Sequence, residues 1–178
     1  MNLYLLRHAS AGTRRPNSLI DDKRPLDKEG REYCLQLAQV LYGFNLTFDL
    51  VLSSPLKRCL QTAAVVGNET GYDAPIKTSK ALAPGGTYAE FQEMLAQCSK
   101  IDNVLVVGHS PNLIRFLGHL ITPAGCRIEA AVRMRKGSMA RVDMERHPHR
   151  LHWLLDPRMV RALYMSSAKS SRRKTSRK

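Results

Sequence analysis

The stretch VLVVGHS at residues 104–110 is a continuous apolar run that ends in two polar side chains. A strand that is apolar at every position, rather than at every second one, buries both of its faces. Strands of this kind belong to parallel sheets that are covered by helices on each side. The stretch therefore predicts an α/β fold with a parallel sheet at its centre.

Predicted strands and helices alternate on the N-terminal side of this stretch, and a helix follows it. Strands are predicted at residues 2–6, 48–53 and 76–79, and helices from the capping residue Asp27 to Gly43 and at about 55–66, 88–98 and 111–121. After Cys126, alternating runs around residues 136–137 and 150–155 predict antiparallel strands on one edge. The predicted fold is a three-layer α/β sandwich with a mostly parallel central sheet and an antiparallel C-terminal edge.

The 178 residues are expected to form one domain over residues 1–165, followed by a tail at 166–178. The tail is rich in serine and basic residues and has almost nothing apolar, which predicts disorder. It carries six of the positive charges of a chain whose net charge is +13: Lys169, Arg172, Arg173, Lys174, Arg177 and Lys178. A cationic body favours anionic ligands, and the tail is a candidate contact for polyanions.

The composition argues against a disordered or a membrane-inserted chain. With 43% hydrophobic and 24% charged residues, the chain is typical of ordinary globular proteins. Neither a signal-peptide core nor an apolar stretch of about eighteen residues is present, which predicts a cytoplasmic protein without a membrane span. The four cysteines are scattered, as expected of reduced thiols. No metal or cofactor is predicted, since His147 and His149 have the spacing of two ligands but no defined third ligand.

Three of the predicted strands end in residues that carry chemistry. Arg7 and His8 follow the first strand, Arg58 follows the second, and His109 follows the strand at 104–108. In an open α/β sheet, ligands bind beyond the carboxyl ends of the strands. The sequence therefore places two histidines and two arginines around one rim.

This set of residues suits phosphoryl transfer. A transferring phosphoryl group spreads negative charge over three oxygens, and catalysis consists mostly of neutralising that charge. Arg7 and Arg58 can do this with paired donors, while their charges lower the pKa of His8 and favour its neutral form. His8 is then a candidate nucleophile, and His109 can donate to the phosphoryl oxygens. No metal is required.

The motifs that contain these residues resemble the histidine phosphatase superfamily, whose fold is that of phosphoglycerate mutase. They are RHASA at 7–11, RPLDKEG at 24–30, SSPLKRCLQTA at 53–63, VGH at 107–109 and LHWLLDP at 151–157. Within the superfamily, the sequence is similar to the small phosphohistidine phosphatases of the SixA type, over about residues 1–165.

The resemblance implies roles for individual residues. His8 corresponds to the phosphorylated nucleophile, and Arg7, Arg58 and His109 correspond to the phosphate-binding residues. Candidates for the general acid are Glu90, after the third strand, and Asp21 or Asp22 in the long loop near the site. The substrate by resemblance is phosphohistidine on a protein, such as the histidine phosphotransfer domain of a signalling relay. Small phosphate esters, including sugar phosphates, are the alternative.

Two other functions remain open. The sequence GHSPN at 108–112 is close to the nucleophile elbow of α/β-hydrolases, so Ser110 could serve an esterase. Its partners would be Asp143 or Asp156 and one of the histidines His147, His149 and His152. Alternatively, without a placed proton donor, the pocket could bind a phosphorylated partner and not turn it over.

Overall fold

Six strands and six helices make up the part of the chain that the computed structural model describes, which is residues 1–123, 126 and 132–175. The strands are β1 (Asn2–Arg7), β2 (Leu50–Ser53), β3 (Lys77–Thr78), β4 (Asn103–Gly108), β5 (Met139–Asp143) and β6 (Arg150–Leu155). The helices are α1 (Ser18–Asp22), α2 (Lys28–Gly43), α3 (Lys57–Glu69), α4 (Tyr88–Ala96), α5 (Asn112–Ile121) and α6 (Pro157–Thr175), and a 3₁₀ turn spans Lys80–Leu82.

All six strands belong to one sheet, in the order β3-β2-β4-β1-β5-β6. The first four in this order are parallel, β5 pairs antiparallel with β1, and β6 pairs antiparallel with β5. The predicted α/β sandwich, with its mostly parallel sheet and antiparallel C-terminal edge, is confirmed.

The position of β1 in the middle of the sheet explains why it is apolar throughout. Leu3 and Leu5 pack into one core cluster, together with residues of α4 and α5. Tyr4 and Leu6 pack into the other, together with residues of α2 and α3. Because full burial of such a side chain contributes about 1.5–3 kcal/mol, both faces of this strand stabilise the fold.

The start of α2 fixes the loop that follows β1. Asp27 caps the helix as predicted, with Oδ1 accepting from the Gly30 N–H at 2.7 Å. Its Oδ2 accepts from Ser10 Oγ at 2.6 Å and from the Gly12 N–H at 2.7 Å. Any Cβ at position 30 would collide with the Ser10 carbonyl, so only glycine lets the loop pack this closely against the helix.

Two predicted boundaries differ from the structure. Pro55 was expected in the first turn of a helix, but α3 begins at Lys57. The reason is that the Ser54 N–H still donates to the Val107 carbonyl at 2.9 Å, which extends the sheet by one residue before the chain can turn. Near the other edge, Gly137 has a φ of +85° and forms a turn before β5, where a strand was expected.

Helices α1 and α6 are not predicted by the sequence pattern. Asn17 caps α1, its side chain accepting from the Leu19 N–H at 3.0 Å. Helix α6 starts at Pro157, and its Val160 is fully buried. The helix continues to Thr175, so residues 166–175 are helical where a disordered tail was predicted; residues 176–178 lie outside the described residues. Once its first turns are packed, each further residue extends a helix at little cost.

The carboxyl ends of the parallel strands meet at one edge of the sheet. Arg7, which ends β1, pairs with Gly108 at the end of β4, and Ser53 at the end of β2 pairs with Val107. The residues that follow these strands are therefore neighbours, as the sequence predicted. Within the described ranges, none of the helices is long and apolar enough to cross a membrane.

Candidate active site

Main-chain hydrogen bonds hold His8 from two sides. Its N–H donates to the Gly108 carbonyl at 3.1 Å, and its own carbonyl accepts from the Gly137 N–H at 3.1 Å. The following residue, Ala9, donates its N–H to Thr62 Oγ1 at 3.2 Å. The backbone of His8 is thus fixed relative to β4, α3 and the turn before β5.

The imidazole of His8 is neutral with a defined tautomer. Nδ1 lies 2.8 Å from the carbonyl oxygen of Ala9. Since a carbonyl only accepts, Nδ1 carries the proton and the lone pair is on Nε2. Burial, together with the charges of Arg58 and Arg7 and against the effect of the Ala9 hydrogen bond, lowers the pKa of His8 to about 4. At neutral pH the ring can therefore act as a nucleophile through Nε2.

Arg58 lies in the first turn of α3 and is 5% exposed. Its Nη1 donates to the carbonyl oxygen of Asp21 at 2.9 Å and lies 3.5 Å from the Asp21 carboxylate oxygen Oδ2. Its buried Nε has no hydrogen-bond partner within the described residues. Burial lowers the pKa of Arg58, but an arginine stays charged at neutral pH. Its positive charge is therefore present at the wall of the site.

Arg7 resembles Arg58 in this respect. Its Nη1 donates to the Met134 carbonyl at 2.7 Å, and its buried Nε has no partner within the described residues. An unmade hydrogen bond on a buried donor costs about 1–3 kcal/mol, and more on a charged group. Both Nε atoms are buried within the protein, so it is the positive charge of the two guanidinium groups that attracts an oxyanion.

His109 follows β4 and faces His8, with 5.1 Å between the ring centroids. Its Nε2 lies 2.9 Å from Ser54 Oγ, and its Nδ1 lies 3.5 Å from Arg58 Nη2. Burial is the main reason that the pKa of His109 is lowered to about 3, and the charges of His8 and Arg58 act in the same direction. His109 is therefore neutral too.

These four residues line one cavity of about 600 Å³. Its other lining residues include four further cations and two carboxylates: Arg14, Arg15, Arg24, Lys136, Asp21 and Asp22. Cations outnumber carboxylates at its wall, which favours an anionic ligand. The structure thus brings together Arg7, His8, Arg58 and His109 as predicted from the sequence.

Asp21, one candidate for the general acid, is tied to arginines. Its Oδ1 accepts from Arg24 Nε and from the Arg15 N–H, both at 2.8 Å. The hydrogen bond from the Arg24 side chain is the main reason that the pKa of Asp21 is lowered to about 2. An ionised carboxylate has no proton to donate at neutral pH. Its contacts with Arg58 instead make Asp21 a positioning residue for that guanidinium.

The other two candidates lie in different surroundings. Glu90 is exposed, does not line the His8 cavity, and caps α4, with Oε2 accepting from the Thr87 N–H at 2.7 Å and from Thr87 Oγ1 at 2.8 Å. Asp22 is exposed and lines the cavity, and no contact fixes its carboxylate within the described residues. Of the three candidates, only Asp22 combines access to the cavity with a free carboxylate.

Ser110 and its candidate partner Asp143 lie at opposite ends of the strands. Ser110 follows β4 at the carboxyl edge, whereas Asp143 pairs with Asn2 at the amino end of β1. Strand β1 has six residues, which separates the two edges by about 17 Å. His147 and His149 follow Asp143 on the far side.

The remaining partners for Ser110 are also occupied elsewhere. His152 Nε2 lies 3.7 Å from Asp143 Oδ2, and Asp156 Oδ2 lies 3.4 Å from Arg135 Nε. The structure therefore does not assemble a triad around Ser110. In the described part of the chain, no group of three or more His, Cys, Asp or Glu side chains is arranged to hold a metal ion.

Some residues of the site were not predicted. Ser54 contacts His109, and Lys136 reaches the cavity from the turn before β5. Ser54 lies within the motif at 53–63, where the serine and proline pattern indicates a turn but not a contact with His109. No local signal marks Lys136, because its place depends on how β5 pairs with β1.

A family model matches the first part of the chain. Residues 3–84 match the histidine phosphatase superfamily (branch 1). An uncharacterised protein of Picosynechococcus is 32% identical over 115 residues, which is 64% of this chain and 68% of that protein.

Solved structures match over a larger part of the chain. The protein histidine phosphatase SixA complexed with tungstate has a TM-score of 0.76 and 23% identity, covering 88% of this chain and 97% of its own. A SixA candidate phosphohistidine phosphatase from Agrobacterium tumefaciens has 0.73 and 26%, with the same coverages of 88% and 97%. A candidate alpha-ribazole-5'-phosphate phosphatase from Escherichia coli K-12 has 0.67 and 22%, covering 88% and 98%.

Proposed function

The chain belongs to the histidine phosphatase superfamily and is a phosphatase with a histidine nucleophile, and we propose that His8 is this nucleophile. One observation carries the proposal. The hydrogen bond from Nδ1 to Ala9 leaves the lone pair of His8 on Nε2, in a cavity where Arg7, Arg58 and His109 supply donors.

In the first step, Nε2 of His8 attacks phosphorus, and a P–N bond forms as the bond from phosphorus to the leaving atom breaks. The electron pair of the broken bond goes to the leaving atom, which takes up a proton from water or from a carboxyl at the cavity. The Nδ1–H of His8 stays bound to Ala9 and stabilises the charge that develops on the ring. Arg7 and Arg58 neutralise the phosphoryl oxygens as the charge spreads over them.

In the second step, water attacks the phosphorus of phospho-His8. The P–N bond breaks and its electron pair returns to Nε2, so His8 becomes neutral again. The attacking water loses a proton, and inorganic phosphate leaves. The same arginines serve both steps, because both pass through a phosphoryl group with its charge on the same three oxygens.

We propose that His109 contacts these oxygens as well. Its Nε2 lies 2.9 Å from Ser54 Oγ and 3.3 Å from Cys59 Sγ, and Arg58 Nη2, which can only donate, lies 3.5 Å from its Nδ1. These contacts orient the ring of His109 at the wall of the cavity that also holds His8.

Protein phosphohistidine is the preferred substrate. The P–N bond of phosphohistidine is weak. The departure of the substrate imidazole therefore depends less on a strong proton donor than the departure of an alcohol does. Asp21 is held ionised and Glu90 does not line the cavity, which leaves a site that is poor in proton donors. The similarity to SixA phosphatases supports the same substrate class.

A small phosphate ester is the second candidate. It is favoured by Asp22, whose carboxylate reaches the cavity without a fixed partner among the described residues. A carboxyl there could protonate a leaving alcohol. The fold is shared with the alpha-ribazole-5'-phosphate phosphatase candidate, but that likeness concerns the fold alone.

The two substrates are separated by comparing turnover. Purified protein is given a histidine-phosphorylated phosphotransfer domain, para-nitrophenyl phosphate and a sugar phosphate, each with the His8→Ala variant as the blank. We expect kcat/KM to be at least about a hundredfold higher for the phosphorylated domain, because the weaker P–N bond lowers the barrier. A higher kcat/KM for either ester would contradict the preferred substrate.

A further inference from the structure

A second cavity of about 660 Å³ adjoins the His8 cavity. Arg7, Ser110 and Lys136 line both, so a molecule that places a phosphoryl group near His8 can extend directly into the second space. We call this second space the basic groove. Its walls are the segment that precedes β5, the start of α6 and parts of α2 and α5.

Positive charge dominates the basic groove. Among the described residues it is lined by six cations, Arg7, Arg133, Arg135, Lys136, Arg158 and Arg161, and by one carboxylate, Glu29. Glu29 pairs with Arg161 at 2.7 Å, and Arg135 lies 3.4 Å from Asp156. Arg133, Lys136 and Arg158 are exposed and have no salt bridge with any described residue.

The position of Arg158 is informative. It lies in the first turn of α6, where the helix dipole disfavours a cation. The side chain therefore does not serve the stability of the helix. It adds instead to the positive charge of the basic groove.

We propose that the basic groove binds an acidic surface of the phosphorylated protein substrate, next to the phosphoryl group held by His8, Arg7 and Arg58. This proposal rests on the proposed function and names the partner's chemistry. Such a contact raises the association rate and aligns the phosphorylated residue with the nucleophile. It also explains why the cations continue beyond the space that a phosphoryl group fills.

The groove fits a protein better than a nucleic acid. Single-stranded nucleic acids bind grooves in which aromatic faces stack on the bases. Tyr33 is the aromatic residue of this groove, and it is 4% exposed, with its hydroxyl donating to the Gly137 carbonyl at 2.7 Å and Arg161 over its ring. No face is left for stacking. A mixture of exposed ion pairs with cations that have no salt bridge among the described residues is typical of the polar rim of a protein interface.

Two peptides test the proposal. Each carries a single histidine phosphorylated with phosphoramidate; in one peptide it is flanked by glutamates and in the other by glutamines. We expect wild-type protein to hydrolyse the glutamate peptide with a kcat/KM roughly tenfold higher at low salt, since each exposed charge pair contributes a factor of about one to five. Added salt should shrink the difference, because it screens exposed charges.

A charge-reversal variant locates the effect. Arg133→Glu with Arg158→Glu should abolish the preference, and it is expected to fold, because both side chains are exposed and an acid suits the first turn of α6. Lys77→Glu with Lys100→Glu makes the same change of charge on exposed residues that line neither cavity, and it should keep the preference. Equal kcat/KM for both peptides in wild type, or a preference that survives in the groove variant, would overturn the proposal.

Binding without phosphate separates this proposal from the proposed function. If neither peptide is hydrolysed while para-nitrophenyl phosphate is, the preferred substrate is wrong, and fluorescence anisotropy of a labelled glutamate peptide without phosphate decides the groove. Binding that the groove variant loses supports an acidic protein partner. Absent binding, binding unchanged in that variant, or tighter binding of an oligonucleotide of equal charge overturns it.

Discussion

His8 Nδ1 lies 2.8 Å from the carbonyl oxygen of Ala9, the next residue in the chain. The histidine is thus oriented by its own backbone, which the sequence of β1 and the turn after it determine. No other side chain is needed to fix the tautomer. This contact decides which ring nitrogen of His8 is free to react.

The ring of His8 is expected to stay neutral well below the ordinary titration range of a histidine. Burial lowers its pKa to about 4, whereas an unperturbed histidine titrates near 6.5. The ¹⁵N shifts of the ring nitrogens in histidine-labelled protein check this. We expect a protonated Nδ1 and an unprotonated Nε2 from pH 7 down to about pH 5. A midpoint near pH 6.5, or a proton on Nε2, would contradict the assigned nucleophile.

Ser54 is expected to act through His109. Replacing it with alanine removes the hydroxyl that lies 2.9 Å from Nε2, so the ring of His109 loses a contact that orients it. We expect Ser54→Ala to lower kcat by about tenfold, the effect of one lost hydrogen bond of roughly 1 kcal/mol or more. In the same labelled protein, the ¹⁵N shifts of His109 should change.

Ser53→Ala is the matched control for this variant. Ser53 is equally buried, but its hydroxyl donates to the Ser54 carbonyl at 2.9 Å and does not reach His109. The ¹⁵N shifts of His109 in the Ser53→Ala variant should match those in the wild type. If both serine variants lose the same activity, the effect is structural and Ser54 has no positioning role.

Asp21→Asn is expected to weaken phosphate binding and stability together. The change removes the charge that faces Arg24 and Arg58, and we expect a loss of about 1–3 kcal/mol, or roughly 2–12 °C in Tm. Competitive inhibition by vanadate, with the thermal melt, measures both effects. Asp22→Asn removes the same charge from the cavity without breaking a contact among the described residues, and should preserve both quantities. Equal losses in the two variants would count against Asp21 as a positioning residue.

The same variant should change the acid stability. The folded-state pKa of Asp21 is lowered to about 2, so its contribution to the free energy of unfolding is complete above its unfolded pKa of about 4 and is lost as the pH falls towards 2. Asp21→Asn removes this contribution to the free energy of unfolding at every pH. The difference in stability between variant and wild type should therefore shrink below about pH 4.

Residues 1–165 are proposed to form the catalytic domain. Val160 is fully buried and Tyr164 packs against the core, so the part of α6 that stabilises the fold ends before residue 166. A truncation at Met165 should keep the Tm and the turnover of para-nitrophenyl phosphate, while its retention on heparin falls with the loss of six cations. A truncation at Asp156 removes Val160 and should not fold. Lost turnover after truncation at Met165 would show that the tail belongs to the site.

Short sequence patterns, such as an apolar run or a capping residue, correctly predicted several elements of the fold and the strand ends at which the site lies. The apolar run from Leu3 to Leu6 indicates a buried parallel strand, and Asp27 indicates the start of a helix. His8, Arg58 and His109 could be placed together because parallel strands end at a common edge. This rule needs the order of elements but not the detail of their packing.

The remainder depends on contacts between distant segments. Asp21 was a candidate acid from its position in a loop, and only its contacts with Arg24 and Arg58 show that it is held ionised. Glu90 is turned to the capping of α4, an alternative that competes with any catalytic role. Lys136 reaches the cavity through the pairing of β5 with β1, which no nearby residue signals.

Phosphate on His8 in a short reaction would identify this residue as the nucleophile. Wild-type, His8→Ala and His109→Ala proteins are mixed briefly with phosphoramidate, quenched without acid, digested and mapped by mass spectrometry. We predict phosphate on the peptide that contains His8 in wild type, its disappearance after a chase, slower labelling in His109→Ala, and neither label nor turnover in His8→Ala. Turnover that persists in His8→Ala, with no phosphate on His8 in the wild type, would show that His8 is not the nucleophile.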